Sequence, residues 1–376
     1  MLNQIQSKRI EVVDSIRGFA LLGVIFANVP YKITDTNESS LNNIIDLLID
    51  LLVSQKFITI FSILFGFGFY IQLNRHMEPL GKFKRYFLKR MFLLFLIGAI
   101  HCYLIWNGDI LMSYAIGGVF LLLIRKCSKR SIFLLAIFFN IIITGVFFIG
   151  NSVLEWQTYS YDYNLVSKIN TTNSFISYLK MNFTTAPWTN FLKDVPITLS
   201  YSFGNMLIGF LLGKIQFFNT SINYKKLKNV LILLGFTLGL TTSYLYHQIN
   251  INSIVLTNSM IWVPFVIIGG IILQSLGYIS LFIKLYNLIW FKNFLKYFRY
   301  IGKTALTNYI FQSIFYLIVV FHCTQGFQLF GKITRAETYL IAIIFFIFQI
   351  INSCIWLKIK SQGPIEYIWK TITKDK

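Results

Sequence analysis

The sequence predicts an all-α integral membrane protein with about ten transmembrane helices. Of its 376 residues, 56% are hydrophobic and only 13% are charged, whereas soluble proteins carry about 25% charged residues. Apolar runs of about 20 residues, long enough to cross a bilayer, recur along the chain. One soluble core cannot bury so much apolar surface, so the sequence predicts that lipid solvates most of this chain.

The apolar runs form one transmembrane domain over residues 1–376. Its predicted spans are 12–29, 57–73, 87–106, 110–124, 131–150, 195–213, 228–247, 254–276, 301–322 and 336–357. With the N-terminus in the cytoplasm, most of the 34 basic residues fall in inner loops, which is the positive-inside pattern. That pattern predicts that both termini are cytoplasmic. It also accounts for the net charge of +20 without a nucleic-acid partner.

Two segments on the outer side are not predicted to span. In residues 30–56, apolar side chains fall on one helical face and polar ones on another: Leu41, Ile44, Ile45, Leu48 and Leu52 against Asn42, Asn43, Asp46 and Asp50. This pattern predicts an amphipathic helix at the outer membrane interface. Residues 151–194 form the longest polar loop, which has the length of a lid or an acceptor platform but not of a separate catalytic domain.

The cysteines and the recognised motifs restrict the chemistry. The four cysteines lack metal-ligand spacing, and no bound metal or covalent cofactor is predicted. Cys102 and Cys323 both fall near the predicted outer face, which leaves open a disulfide or unpaired thiols. The sequence predicts no cleavable signal, and it shows no dinucleotide fingerprint or nucleophile elbow.

Asp14 and Arg17 are the first candidates for function. The stretch from Gly18 to Val29 contains only twelve residues, about 18 Å of helix, whereas the hydrocarbon core is about 30 Å thick. The first helix must therefore draw Arg17 below the inner headgroups. The i, i+3 spacing allows Asp14 and Arg17 to pair on one face. Either they face the bundle interior, where ionisable groups are functional candidates, or Arg17 snorkels to the interface.

A second candidate group contains His101, Trp106, Asn107 and Asp109 at the outer end of the third span. The Asn-Gly-Asp turn can bring Asp109 back beside His101. A carboxylate orients a histidine and raises its basicity, which suits a general base. The alternative is an interfacial histidine with an ordinary turn carboxylate.

A third group is a polar stripe in the ninth span. Thr304, Asn308 and Gln312 are spaced by four, so they share one helix face. Such a stripe either bonds neighbouring helices together or lines a cavity. Gly66 and Gly68 in the second span predict close helix packing.

Five ordered motifs resemble those of the bacterial YeiB-like family. They are Arg9–Gly23, Phe61–Gly68, Gly98–Leu111, Gly302–Ser313 and Gly363–Trp369. The resemblance covers essentially the whole chain, with YeiB-like helices over about 8–150, the outer loop over 151–194 and domain of unknown function 418 over about 195–372. It implies a multi-pass protein of the bacterial cytoplasmic membrane.

The first helix is also similar to that of transmembrane acyltransferases, which include the acyltransferase-three enzymes. That similarity implies acyl transfer from cytoplasmic acyl-CoA, as a co-substrate, to an envelope glycan or lipid beyond the membrane. The residues implied to bind acyl-CoA are Asp14, Arg17, Arg85 and Arg90, with Arg17 and the basic inner loops receiving its phosphates. His101, oriented by Asp109, would be the general base. The residues implied to line the route are Asn28, Trp106, Asn107, Thr304, Asn308 and Gln312.

One position departs from the acyltransferase pattern. The acyltransferase-three enzymes carry a histidine near the outer end of the first helix, where this chain has Asn28. The base is then His101, or the chemistry is lost. Two other functions fit the sequence. One is a transporter of a small or lipid-linked solute, and the other is a structural or sensory membrane protein.

Overall fold

The computed structural model describes residues 10–29, 40–75, 80–152, 172, 174–189, 191–218, 224–251, 258–321, 323–324 and 326–373. In these residues the structure is helical and contains no strand. The α-helices are α1 Glu11–Ala27, α2 Ser40–Leu52, α3 Lys56–Arg75, α4 Leu80–Ile100, α5 Leu111–Ile124, α6 Lys129–Ile137, α7 Thr144–Ser152, α8 Phe175–Thr185, α9 Phe191–Lys214, α10 Lys225–Phe236, α11 Leu238–Asn250, α12 Val263–Tyr286, α13 Ile289–Lys303, α14 Ala305–Val319, α15 Arg335–Ile359 and α16 Pro364–Thr373. Wider π-helical turns follow α4 over His101–Ile105 and join α6 to α7 over Phe138–Ile143.

Seven helical runs among the described residues are long and apolar enough to cross a membrane. They are Ser40–Arg75, Leu80–Ile105, Lys129–Gly150, Val195–Lys214, Lys225–Asn250, Val263–Tyr286 and Arg335–Ile359. Three further predicted spans coincide with shorter helices, namely α1 with 17 residues, α5 with 14 and α14 with 15. The all-α multi-pass membrane architecture is confirmed.

Several helix limits differ from the apolar runs. The predicted span 254–276 becomes α12, which begins with Pro264 in its first turn and continues to Tyr286, because proline suits the start of a helix. The predicted span 301–322 is divided at Thr304, where a basic and aromatic helix, α13, ends and α14 begins. The predicted span 228–247 is interrupted at Thr237, between α10 and α11.

Backbone-to-backbone crossings hold the centre of the bundle together. A Cβ atom at Gly18 would lie 1.9 Å from the Phe298 carbonyl oxygen, and one at Gly302 would lie 1.8 Å from the Asp14 carbonyl oxygen. The crossing of α1 and α13 therefore requires glycine on both helices. Gly66 makes a similar approach to the Met206 backbone of α9, as its motif predicts.

The amphipathic helix α2 turns its polar face toward the protein. Leu41 and Ile44 are exposed, whereas Asn42 and Asp50 are buried. In a membrane protein this arrangement is reasonable, because lipid accepts apolar side chains and the protein supplies partners for polar ones.

Asp50 belongs to a buried cluster of ionisable side chains. Its carboxylate accepts a hydrogen bond from Ser54 and lies 2.9 Å from Nδ1 of His247 on α11. The fully buried Lys56 ammonium donates to the Asp50 carbonyl oxygen. The sequence analysis did not single out this cluster.

Candidate functional site

The centre of the candidate site is a buried chain of three polar side chains. Nδ1 of His101 lies 2.8 Å from Oδ1 of Asp109, and Nε2 of His101 lies 2.9 Å from Oγ of Ser313. All three residues are buried. The second carboxylate oxygen of Asp109 accepts from the Met112 backbone N–H at 2.9 Å. A carboxylate only accepts hydrogen bonds, so the tautomer that fits both contacts has its proton on Nδ1 and uses Nε2 as the acceptor toward Ser313.

Local backbone geometry explains how Asp109 reaches His101. His101 begins the π-helical turn that ends α4, and π turns often occur at functional sites. The chain then returns through residues 106–110. A Cβ atom at Gly98 would lie 2.8 Å from the Met112 nitrogen and 3.0 Å from Oδ2 of Asp109. Gly98 therefore leaves the space that Asp109 occupies.

Helix α8, from the predicted outer loop, supports this turn. Asn182 donates to the carbonyl oxygens of Cys102 and Tyr103 at 2.8 and 3.0 Å. The Tyr178 hydroxyl donates to the Ile105 carbonyl oxygen at 2.6 Å. The π turn changes the helical hydrogen-bond pattern, and α8 supplies donors to its carbonyls. Residues 153–171 of the predicted outer loop lie outside the described residues.

A cavity of about 620 Å³ lies between α1, α3, α4, α5, α13, α14 and α16. Near one end it is lined by polar and charged side chains: Asp14, Arg17, Gln72, Arg75, Arg90, Lys303, Glu366 and Lys370. Its remaining wall is largely apolar and includes Phe61, Phe65, Leu94, Ile110 and Leu111. The charged end lies where α1 begins and α3 ends, which the charge pattern predicts to be the cytoplasmic side.

Tyr309 separates the cavity from the buried polar chain. Tyr309 and Tyr114 line the cavity, whereas His101, Asp109 and Ser313 are not among its lining residues. The rings of Tyr309 and His101 are 5.0 Å apart between centroids. One aromatic ring therefore stands between the cavity and the candidate base.

Asp14 and Arg17 form the predicted pair on the cavity wall. Nη1 of Arg17 lies 3.2 Å from Oδ1 of Asp14, which is buried. A Cβ atom at Gly68 would lie 3.3 Å from Nη2 of Arg17, so glycine there keeps room for the guanidinium. The bundle-facing alternative thus describes Arg17, which lines the cavity.

The C-terminal helix α16 completes the charged end. Oε1 of Glu366 accepts from the backbone N–H groups of Leu306 and Thr307 at 2.7 and 3.2 Å, and so caps the start of α14. Burial raises the pKa of the Glu366 carboxyl, while hydrogen bonds from Thr307 and Leu306 oppose that change. Trp369 donates to the Arg90 carbonyl oxygen, and the Arg90 guanidinium lies 4.1 Å from its ring.

The polar stripe of α14 bonds helices together. Asn308 donates to Oγ of Ser353 on α15 at 3.0 Å, and Thr304 donates to the same atom at 3.1 Å. Gln312 donates to Gln349 at 3.0 Å and to the Leu21 carbonyl oxygen at 3.2 Å. The stripe does not line the cavity, which contacts Ala305, Leu306 and Tyr309 on another face of α14. Of the two predicted roles, the helix-bonding one describes these contacts.

The other predicted site residues lie outside the cavity. Arg85 is exposed on α4 and does not line it. Asn28 caps the C-terminus of α1. Trp106 stacks on Phe321 with centroids 5.8 Å apart, and Asn107 donates to Thr185 at 2.9 Å. Arg90 does line the cavity, as do Arg75, Lys303 and Lys370, which the sequence analysis did not select. Lys303 and Glu366 lie within the motifs Gly302–Ser313 and Gly363–Trp369, so their place in these motifs could have marked them as site residues.

The remaining titratable groups give no metal site. Within the described ranges, no group of three or more His, Cys, Asp or Glu side chains is arranged to hold a metal ion. The four cysteines, all of them described, are free thiols.

Comparisons with known proteins show which proteins this chain is similar to. Residues 212–376 match a family model described as "Protein of unknown function (DUF418)". The "Uncharacterized protein YxaH" of Bacillus subtilis (strain 168) is 27% identical over 98% of this chain and 94% of its own length. The "Uncharacterized protein YeiB" of Escherichia coli (strain K12) is 27% identical over 96% of this chain and 95% of its own length. No solved structure matches the chain. The resemblance carried by the five motifs is therefore confirmed: the chain is similar to YxaH and YeiB over nearly its whole length, and its C-terminal part matches the DUF418 model.

Proposed function

We propose that this protein transfers an acyl group from cytoplasmic acyl-CoA to a glycan or lipid acceptor beyond the bacterial cytoplasmic membrane. In this proposal about ten helices span the membrane, and both termini are cytoplasmic, as the basic inner loops predict. The proposal includes an evolutionary relationship between this protein and the transmembrane acyltransferases. The acyl group would pass from the cytoplasmic surface to the outer surface of the membrane within one helix bundle.

The observation that carries the proposal is the two-part chemistry of the cavity. Its charged end contains the guanidinium groups of Arg17, Arg75 and Arg90 together with Lys303. Guanidinium matches phosphate oxygens in geometry and charge. Beyond these groups the wall becomes apolar and includes Phe61 and Leu111, which suits a hydrocarbon chain. Acyl-CoA has the same order of parts, with phosphates at one end and an acyl chain at the other.

The cavity volume sets how much of the donor can enter. At about 620 Å³ it lies within the common range for small-molecule sites, about 300–1,000 Å³. We infer that the pantetheine arm and a short acyl group enter, while the nucleotide stays at the charged mouth. The thioester would then approach Tyr309, beyond which His101 lies 5.0 Å from the Tyr309 ring.

The acid–base part of the proposal rests on His101. With Asp109 on Nδ1, the unprotonated Nε2 can take a proton from a hydroxyl. Its buried position excludes bulk water, which would otherwise hydrolyse the acyl donor. The side chain of Tyr309 must move for a thioester to reach this nitrogen.

The test incubates protein purified in detergent or nanodiscs with acetyl-CoA or a longer acyl-CoA. It measures the binding of acyl-CoA and the release of CoA thiol. Arg17→Ala removes a guanidinium from the cavity wall, and Arg85→Ala removes an exposed one outside it. A charged hydrogen bond contributes about 1.5–3 kcal/mol, so Arg17→Ala should weaken acyl-CoA binding about 10- to 100-fold. Arg85→Ala should bind as the unmodified protein does.

Two outcomes oppose this account. Equal acyl-CoA affinity in the Arg17→Ala and Arg85→Ala variants removes Arg17 from the donor site. Failure of the unmodified protein to bind or cleave any acyl-CoA contradicts the acyltransferase proposal itself.

A second candidate function is transport, and one observation favours it. Ionisable side chains and the tyrosines Tyr114 and Tyr309 line one cavity within the helix bundle, and a transporter binds its solute in such a cavity. The Asp50–His247 pair on the outer half of the bundle would then be an ion-coupling group. Uptake or efflux of a labelled solute by proteoliposomes, lost in Asp50→Asn but not in His101→Ala, would favour transport over acyl transfer.

A further inference from the structure

We propose that Ser313 is the nucleophile that carries the acyl group as a covalent ester between donor and acceptor. This inference rests on the proposed acyl transfer and adds a chemical step to it. Asp109, His101 and Ser313 have the order of an acid, a base and a hydroxyl nucleophile. In the sequence, Ser313 is marked only as the last residue of the Gly302–Ser313 motif.

The geometry of the three residues supports an activated hydroxyl. Oγ of Ser313 lies 2.9 Å from Nε2 of His101, and Nδ1 of His101 lies 2.8 Å from Asp109. Both distances fall within the range for a nucleophile, its base and the group that orients the base. A further hydrogen bond from the Met112 backbone fixes the carboxylate. The three side chains come from the end of α4, its following turn and α14, so the tertiary fold assembles them.

The hydrogen bonding of Ser313 differs from that of Ser62 and Ser275, two other serines inside helices of this chain. Ser62 and Ser275 each donate to the carbonyl oxygen four residues earlier, at 3.1 and 2.8 Å, which is the usual choice of a serine inside a helix. Within the described residues, Ser313 makes its hydrogen bond to His101 instead. A hydroxyl that leaves its own helix for an imidazole nitrogen is oriented for proton transfer.

The acyl group moves in two half-reactions, first from CoA to Ser313 and then from Ser313 to the acceptor. His101 takes the Ser313 proton while Oγ bonds to the thioester carbonyl carbon; the C–S bond breaks, and CoA leaves as the thiol with the proton from His101. An acceptor hydroxyl then gives its proton to His101 and bonds to the acyl carbon. The ester C–O bond to Ser313 breaks, and Ser313 regains a proton. The net reaction converts acyl-CoA and an alcohol into an ester and free CoA.

A covalent carrier also agrees with the separation of the two compartments. The cavity holds the charged end on one side of Tyr309, and the Asp109–His101–Ser313 chain lies on the other. Tyr309 and Ser313 are four residues apart and therefore neighbours on one face of α14. With an acyl-Ser313 ester, donor and acceptor need not occupy the site together, and CoA never has to cross.

The test uses full-length protein, acetyl-CoA and labelled free CoA without any acceptor. A covalent intermediate makes the first half-reaction reversible, so label should pass from CoA into acetyl-CoA. Rapid denaturation with acyl-labelled acetyl-CoA should leave label on the peptide that contains Ser313. Ser313→Ala should lower exchange at least about 100-fold and abolish the peptide label. Ser280→Ala is the matched control, because Ser280 is buried in α12 and its hydroxyl has no partner among the described residues.

The outcomes separate this inference from the proposed function. Acyl transfer to an acceptor by the unmodified protein, without CoA exchange, overturns the covalent step and keeps the acyltransferase. Acyl transfer at an undiminished rate in the Ser313→Ala variant also overturns the covalent step and keeps the acyltransferase. Absence of any acyl-CoA cleavage overturns both. Loss of exchange in Ser313→Ala, with Ser280→Ala unaffected, supports the ester.

Discussion

The chemistry of the candidate site depends on which nitrogen of His101 carries the proton. Asp109 contacts Nδ1 and Ser313 contacts Nε2. A carboxylate at Nδ1 favours the tautomer in which Nε2 is basic, so Asp109 sets the direction in which a proton can move. Without the carboxylate, His101 could rest with its proton toward Ser313 and would then be a poor base.

Asp109→Asn tests this dependence. The substitution keeps the size of the side chain, but its amide can donate to Nδ1 and favour the wrong tautomer. We expect the rate of CoA release to fall about 10²–10⁴-fold with little change in thermal stability. Asn107→Ala, which loses the hydrogen bond to Thr185, is the control and should keep its rate. Undiminished turnover in Asp109→Asn would remove Asp109 from the orienting role.

Tyr309→Ala tests the barrier between the cavity and His101. Removing the ring joins the two spaces, so longer acyl chains should find room. Each added CH₂ that becomes buried contributes about 0.8 kcal/mol, or about fourfold in affinity. Phe311→Ala, which changes an exposed residue on the same helix, should keep the original chain-length preference. The same chain-length preference in the Tyr309→Ala and Phe311→Ala variants would show that Tyr309 does not limit the length of the acyl chain.

Part of the site was predictable from short-range sequence alone. The Asn-Gly-Asp turn predicted that Asp109 can return to His101, and the i, i+3 spacing predicted the Asp14–Arg17 pair; both contacts are present. The contact of His101 with Ser313 spans 212 residues, and no local pattern encodes it. Thr304, Asn308 and Gln312 share a face by their spacing, but the spacing does not say whether a cavity or α15 lies opposite.

At the scale of helices, glycines set how closely the elements approach. Gly18 and Gly302 face the backbone of the opposite helix at distances that no Cβ atom can occupy. Ser15 adds a hydrogen bond to the Leu295 carbonyl oxygen at 3.2 Å across the same crossing. This crossing fixes Asp14 and Arg17 relative to Lys303, and thereby the charged end of the cavity.

Gly302→Ala should separate α1 from α13. A Cβ atom 1.8 Å from the Asp14 carbonyl oxygen cannot be accommodated without a backbone shift, which costs about 1–3 kcal/mol. Thermal melting in detergent should show the loss. Gly269→Ala is the control, because no atom lies within 4 Å of a Cβ there and alanine favours the helix by about 0.5–1 kcal/mol. Equal melting temperatures for the two variants would contradict the close crossing.

Apolar runs predict helices better than they predict helix limits. Hydropathy marks the middle of a span, whereas Pro264 and the change of direction at Thr304 decide where α12 and α14 begin. The amphipathic pattern predicted α2, but not that its polar face would contact α11 and α15 through Asp50 and Asp46. Such orientation depends on the neighbours, which a local pattern does not contain.

At the scale of the molecule, the charge pattern predicts that the cavity mouth faces the cytoplasm. The inner loops carry most of the 34 basic residues, and the cavity places Arg75, Lys303 and Lys370 at the same end. Green fluorescent protein fused after Lys376 should therefore fluoresce, and alkaline phosphatase fused there should be inactive. An active phosphatase with a dark fluorescent fusion would invert the topology and separate the cavity from cytoplasmic acyl-CoA.

The most direct test of the central claim is a structure in a lipid nanodisc with a non-hydrolysable acyl-CoA. The account predicts phosphate density beside Arg17, Arg75 and Lys303, with the acyl end against Tyr309. Nucleotide density elsewhere on the molecule, or an empty cavity at saturating ligand, would contradict it.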